Sequence, residues 1–225
     1  MKNNSNIYQF FISLSMALIP FIISAIGFIS FNSLSNQKQS CLQLYVPASY
    51  IERSLVIIND QTEYLSGVLV DDSEFGELIL TSSRRLDRNK MQENLYEISI
   101  DNLETIKPLY GDYIPNKNMG FFQISTPSYI SPLPLSETRP AIGEIAYTAT
   151  ILDGETEMYS GRYSNSITLD NGNLVHIYSG SIGIAYEGSP VIDKCGNLLG
   201  VIIEGSDRYF AISSLNPEIF AKSFN

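Results

Sequence analysis

A single histidine, His176, and two cysteines, Cys41 and Cys195, are all the imidazole and thiol in this 225-residue chain. They make no ligand cluster for zinc, so no metal is expected, and no cofactor motif is present. Nucleophilic catalysis needs a hydroxyl or thiol at an accessible turn and a base that can take its proton. Gly188-Ser189-Pro190, with a hairpin pattern after it, puts a hydroxyl on a tight turn, and His176 is the one imidazole that could serve it. A serine–lysine dyad is the other route, but Lys107, Lys117 and Lys194 share no motif with a serine. Outside the cytoplasm Cys41 and Cys195 could form a disulfide. Two unpaired thiols are the alternative, and both readings stay open. Lys38-Gln39-Ser40 has no lipobox character, so Cys41 is not a lipidation site.

The elements that must position these groups read as short strands. Fourteen Tyr, eleven Phe, fifteen Gly and ten Pro favour strands with frequent turns. Strands are expected at 54–59, 65–70, 77–81, 96–100 and 120–124. A second series follows at 145–152, 161–169, 174–178, 189–192, 198–204 and 209–212. Asn216 and Pro217 then suit the N-cap and first position of a short helix. The Pro-rich stretch 125–140 reads as a connector between two halves of similar size.

The first 36 residues differ from the rest. Residues 10–31 carry no charge, and as a helix they would span roughly 33 Å, enough to cross a bilayer. An uncleaved anchor suits this length; the alternative is a signal peptide cut after Ser33-Leu34-Ser35. Lys2 and the amino terminus supply the positive charge on the N-terminal side of the run, which keeps the N-terminus cytoplasmic and places the remainder outside the membrane, or secretes it if the segment is cleaved. Residues 37–225 hold 13 basic and 24 acidic residues, a net of −11. Such a surface repels phosphate backbones, so nucleic acid is excluded as a partner.

Gly188-Ser189-Pro190-Val191-Ile192-Asp193 followed by Cys195-Gly196-Asn197-Leu198-Leu199-Gly200-Val201-Ile202 resembles the nucleophile turn and following hairpin of trypsin-like serine proteases, the HtrA/Deg type in particular. Further segments match in family order. Leu65–Val70 is similar to the strand before the catalytic histidine, Leu78–Arg84 to the segment that ends on it, and Asn118–Ile124 to the segment around the catalytic aspartate. Leu133–Ser136 with Ile142–Tyr147, and Tyr209–Ser213, resemble later segments of the same family. The resemblance covers about 54–215 and implies an all-β fold of two antiparallel six-stranded barrels. Together with the uncharged run, it gives an anchor or signal segment (1–36), a juxtamembrane segment (37–53), a first barrel (54–126), a connector (127–140), and a second barrel with a C-terminal helix (141–225).

The same alignment implies a degenerate triad. Arg84 stands at the histidine position, Asn118 at the aspartate and Glu187 at the serine, while Gly188 matches a glycine of the oxyanion hole. A guanidinium stays protonated and cannot act as the base, and a missing triad costs about 10⁴–10⁶ in rate. The resemblance also puts the base on the first barrel, away from His176, and makes Ser82 and Ser83 structural. The expectation is therefore a protein that is not an enzyme and acts by binding protein or an extended peptide. A peptide-binding cleft is expected along Ile202, Ile203, Glu204, Gly205 and Tyr209. The alternatives are an active endopeptidase with a non-standard site and a structural subunit of a membrane complex. Arg84 and Glu187 are expected to form an ion pair across the cleft, with Asn118 accepting from the guanidinium.

Overall fold

The computed structural model describes residues 48–60, 62–72, 76–100, 104–114, 116–125, 130–136, 138–152, 154–182 and 187–215. All of them belong to one compact unit, Gln43–Asn225. The expected membrane segment, Cys41 and the C-terminal helix lie outside the described residues.

Strands dominate. After a short helix α1 (Ala48–Glu52) come β1 (Leu55–Asn59), β2 (Tyr64–Asp72) and β3 (Gly76–Ser82), then helix α2 (Arg88–Gln92). Asp87 caps α2 by accepting from the backbone N–H groups of Asn89 and Lys90. The chain continues through β4 (Glu97–Ile100), β5 (Glu104–Ile106), β6 (Tyr110–Ile114) and β7 (Met119–Gln123). The second series is β8 (Ile145–Leu152), β9 (Glu155–Thr168), β10 (Leu174–Ser179), β11 (Pro190–Ile192), β12 (Leu198–Gly205) and β13 (Tyr209–Ser214).

The second series closes into a six-stranded barrel, in the order β10-β13-β12-β11-β8-β9. The first forms a seven-stranded sheet ordered β5-β4-β1-β2-β3-β7-β6. The all-β, trypsin-like expectation holds, with the first of the two expected six-stranded barrels present as this seven-stranded sheet. The three-residue β5 pairs with the outer edge of β4, and no pairing between β5 and β6 completes the ring among the described residues. β5 and β6 escape sequence reading for a physical reason: Glu-Thr-Ile is too short to show a period, and Gly111 and Asp112 interrupt the apolar pattern of β6. The first half of β9 is missed likewise, because its two glutamates are poor strand formers, yet it pairs with β8 over eight residues.

Side-chain alternation explains why β2, β3 and β7 are apolar on both faces. Leu69, Ile79 and Phe122 point into the interior of the first sheet with Val56, Ile58, Tyr96 and Ile98. Val68, Val70, Leu78, Leu80, Met119 and Phe121 point the other way, into a core that includes Ala149, Ile192, Leu198 and Val201 of the barrel. The two sheets therefore bury one common apolar layer. Part of the expected connector takes part in it. Leu133 N–H donates to the Leu69 carbonyl (3.0 Å) and Ser136 N–H to that of Leu198 (2.8 Å).

Candidate functional site

The ends of β3 and β7 and the turn before β11 converge where the two sheets meet. After Ser82 the chain turns through Ser83, Arg84 and Arg85. That turn is held by Ser83 N–H donating to the Asn118 carbonyl (3.0 Å) and Arg84 N–H to the Ser82 hydroxyl (3.3 Å). Asn118 adopts a left-handed backbone (φ 53°), which asparagine tolerates better than most residues. From the barrel side, Glu187 and Gly188 lead into β11. The Gly188 N–H donates to the Ile202 carbonyl (2.8 Å), and Ile202 N–H to the Ser189 carbonyl (2.9 Å).

Arg84 and Glu187 meet across this junction. Arg84 Nη1 lies 3.2 Å from Glu187 Oε1, with the arginine side chain 60% exposed and the glutamate 6%. The pair is asymmetric: a buried carboxylate is reached by a cation that remains largely in water. Burial pushes the Glu187 carboxyl above its ordinary value, the Arg84 and Arg85 charges pull it down, and Glu204 adds to the rise. Glu187 Oε2 is buried without a hydrogen-bond partner among the described residues. The expected acceptance by the Asn118 amide is corrected: Asn118 holds the site through its backbone carbonyl, which positions the turn carrying Arg84.

Removing Arg84 leaves a buried carboxylate with no cation beside it. Glu187 has a raised folded pKa, so its contribution to stability is present below the ordinary carboxylate range and lost as pH rises through the folded pKa. Without Arg84 that pKa rises further. Arg84→Ala should therefore destabilise the protein by about 1–2 kcal/mol at pH 8, the estimate being discounted for the exposure of Arg84. The loss should shrink towards zero at pH 4, where Glu187 is protonated. Urea unfolding at both pH values checks this, and equal losses at the two would deny the pair its role.

The expected oxyanion-hole role of Gly188 is corrected as well. Its N–H is already committed to Ile202 within the barrel and is not free to face a bound group. Ser189 is completely buried, and its Oγ has no partner among the described residues. His176, on β10, is buried too and shares a 3.1 Å hydrogen bond with the Ser214 hydroxyl. Ser189 and His176 therefore form no nucleophile–base pair. Nor do the lysines supply one. Lys194 pairs with Glu144 (3.6 Å), buried Lys117 reaches the backbone carbonyl of Ser214 (3.4 Å), and Lys107 meets no serine hydroxyl among the described residues. Among those residues no group of His, Cys, Asp and Glu is arranged to hold a metal ion. Cys195 is disulfide-bonded, while Cys41 is outside the described residues.

A cavity of about 480 Å³ opens beside Arg84, with Ser83, Asn118, Ile203, Glu204 and Tyr209 on its walls. Its floor is apolar: Val175, Ile203 and Ala211 pack together with Leu169. Of the expected cleft residues, Ile203, Glu204 and Tyr209 line it. Ile202 does not, because alternation along β12 turns it into the barrel core with Phe210 and Ile212. Gly205 is buried opposite Phe210. Sequence reading missed Ile167 and Ser83, which also line the cavity. The exposed isoleucine in an otherwise polar stretch of β9 was the available signal for the first. On the other side of the junction a second cavity, of about 650 Å³, is lined by Ser66, Tyr64, Leu152 and Arg85.

A closed six-stranded barrel packed on a second antiparallel sheet, with a cleft at their junction, is the fold of trypsin-like serine proteases. Solved structures of such proteases superpose on it. An inactive serine-to-alanine mutant of Rv3671c from M. tuberculosis H37Rv matches with a TM-score of 0.61 and 16% identity, over 79% of this chain and 90% of that one. The active form of Rv3671c protease from M. tuberculosis matches with a TM-score of 0.60 and 14% identity, over 78% and 82%. A human pathogenic astrovirus serine protease matches with a TM-score of 0.58 and 15% identity, over 75% and 93%. No family model and no curated protein matches the sequence. The expectation that the chain is not an enzyme is overturned by these neighbours. They are proteases, one of them in its active form.

Proposed function

We propose that the domain engages an extended polypeptide in the cleft beside Arg84, as a protease engages its substrate, and that residues 10–31 tether it to a membrane with the domain outside. The observation that carries the peptide reading is the free edge of β12. Up to Ile202 this strand is bonded on both sides, to β13 and to the segment Gly188–Ile192. From Ile203 to Gly205 it keeps β13 as a neighbour and has no strand on its other side among the described residues. Backbone groups with no second strand neighbour among the described residues, above an apolar cavity, suit strand addition, with main-chain hydrogen bonds giving affinity and the cavity taking alternate side chains.

Fluorescence polarisation with labelled apolar tetrapeptides tests the reading. Saturable binding is expected, weakened about tenfold by Tyr209→Ala, because the ring is a wall of the cavity and is 38% exposed before anything binds. Absence of saturable binding, or a Tyr209→Ala variant that binds as well as the parent, would sink it. The protease neighbours favour a further step in which the bound peptide is cleaved. Mass spectrometry of the peptide after the same titration detects cleavage. Ser189 is completely buried and outside the cavity lining, so a phosphonate label should not land on it.

A further inference from the structure

We infer that the cleft is built to receive the carboxy-terminal end of a polypeptide, with the terminal carboxylate held by the Arg84 guanidinium. This rests on the peptide-binding reading and goes beyond it by naming which part of the chain is bound. Three observations carry it.

The first is direction. β12 runs from Ile202, which is bonded to Gly188 and Ser189 beside Glu187, towards Gly205. A strand added antiparallel to its free edge therefore starts near Gly205 and ends near Arg84 and Glu187. Antiparallel pairing is the more stable per residue and matches every strand pairing already present in the barrel.

The second is charge. Arg84 has five N–H donors, gives Nη1 to Glu187 Oε1, and is 60% exposed. A planar guanidinium with donors to spare takes a carboxylate through two parallel hydrogen bonds. Glu204, on the same cavity wall, accepts at Oε1 from the Tyr209 hydroxyl (2.9 Å), and among the described residues lining the cavity Arg84 is the cation that a bound carboxylate can meet.

The third is obstruction. Past Arg84 the cleft is crossed by the Arg84–Glu187 pair, which joins the turn after β3 to the turn before β11. The next residue, Arg85, forms a pair with Glu63 (3.1 Å) at the edge of the second cavity. A chain running along β12 meets these pairs where its own terminus is best neutralised.

The test compares Ala-Val-Leu-Leu, labelled with fluorescein at its amino terminus, as free acid and as carboxamide, by fluorescence polarisation on the full chain in detergent. The acid should bind at least tenfold more tightly. Arg84→Gln should bring the acid-to-amide ratio near one, and Arg84→Lys should restore part of it, since a point charge lacks the fork. Glu187→Gln should raise acid affinity, because the guanidinium is then shared with no other carboxylate. Thermal melting confirms that each variant is folded. Equal binding of acid and amide to the parent protein overturns this inference while leaving the peptide reading intact. An acid preference that survives in Arg84→Gln also overturns it. So does tighter binding of an amidated peptide carrying an internal glutamate, which would assign Arg84 to a side-chain carboxylate. If neither acid nor amide binds, the peptide reading itself fails.

Discussion

Gly188→Ala is expected to cost at least about 4 kcal/mol and to lower the thermal midpoint by 10 °C or more, on the order of 2–4 °C per kcal/mol for a domain of this size. Two effects combine. Gly188 has φ +88°, where a side chain adds roughly 1–2 kcal/mol of backbone strain. A Cβ at this position would also lie 2.0 Å from the Ser66 carbonyl oxygen and 2.4 Å from the Thr81 hydroxyl. Those two atoms belong to the first sheet and are bonded to each other, Thr81 Oγ1 donating to Ser66 O at 2.6 Å. Neither is the end of a flexible side chain that can swing away. The substitution must separate the sheets at the point where Ser66 and Thr150 also bridge them, hydroxyl to hydroxyl at 2.9 Å. Gly143→Ala isolates the first effect. That residue has φ +82° with nothing within 4 Å of the built Cβ, so it should lose only the strain. If the two variants melt within a few degrees of each other, the contact with Ser66 carries no weight.

What Gly188 does was half legible in the sequence. The turn before a hairpin was visible from Gly188-Ser189-Pro190, and so was a glycine's place in it. The resemblance then assigned its N–H to a bound oxyanion, whereas the chain uses that N–H to fasten Ile202, and the missing Cβ lets Ser66 approach. A one-dimensional pattern records that a glycine is needed but not which neighbour crowds it. The longer barrel strands were readable because they alternate, as in β8, where Tyr147, Ala149 and Ile151 face the shared layer and Ala146 faces the barrel interior. β5 was not, since three residues cannot display a period.

At the site, the meeting of Arg84 and Glu187 could be anticipated because the alignment fixed the two turns that carry them. Their unequal burial could not. It arises from the depth of the Glu187 turn below the barrel rim, which depends on the packing of residues remote in sequence. The same limit explains Ile202. Alternation along β12 turns its side chain into the core, and the β-bulge between Ile202 and Glu204 then lets the next two residues, Ile203 and Glu204, both line the cleft.

Between pH 6.5 and 4 the protein should lose roughly 3 kcal/mol of stability through His176 alone. Burial is the main cause that pushes this imidazole down to about 4, with the positive charges of Arg139 and Lys117 adding to it. The ring is 3% exposed, so holding its proton affinity at about 4 instead of the ordinary imidazole value converts to roughly 3 kcal/mol with little screening. The sign follows from proton counts. In this window the unfolded chain holds the proton and the folded chain does not, so stability is fully present above pH 6.5 and falls as pH drops through the folded value.

The surroundings give the reason. Nε2 meets the Ser214 hydroxyl, Nδ1 is buried with no partner among the described residues, and the Tyr163 ring packs against the imidazole at 5.5 Å and 84°. A protonated ring needs two acceptors and finds one. Lys117, itself buried and with its ammonium pushed down by burial, approaches the neighbouring Ser214 carbonyl, so an imidazolium would add a second cation to the same interior. His176→Gln keeps a polar group near Ser214 and removes the titration. Urea unfolding of both proteins at pH 7, 5.5 and 4 should show the parent losing the extra 3 kcal/mol or so while the variant does not. Glu187 acts in the opposite sense, gaining stability on protonation, and is common to both proteins, so it cancels in the comparison. Parallel pH profiles for the two would mean that the folded protein binds a proton at His176 as readily as the unfolded chain does.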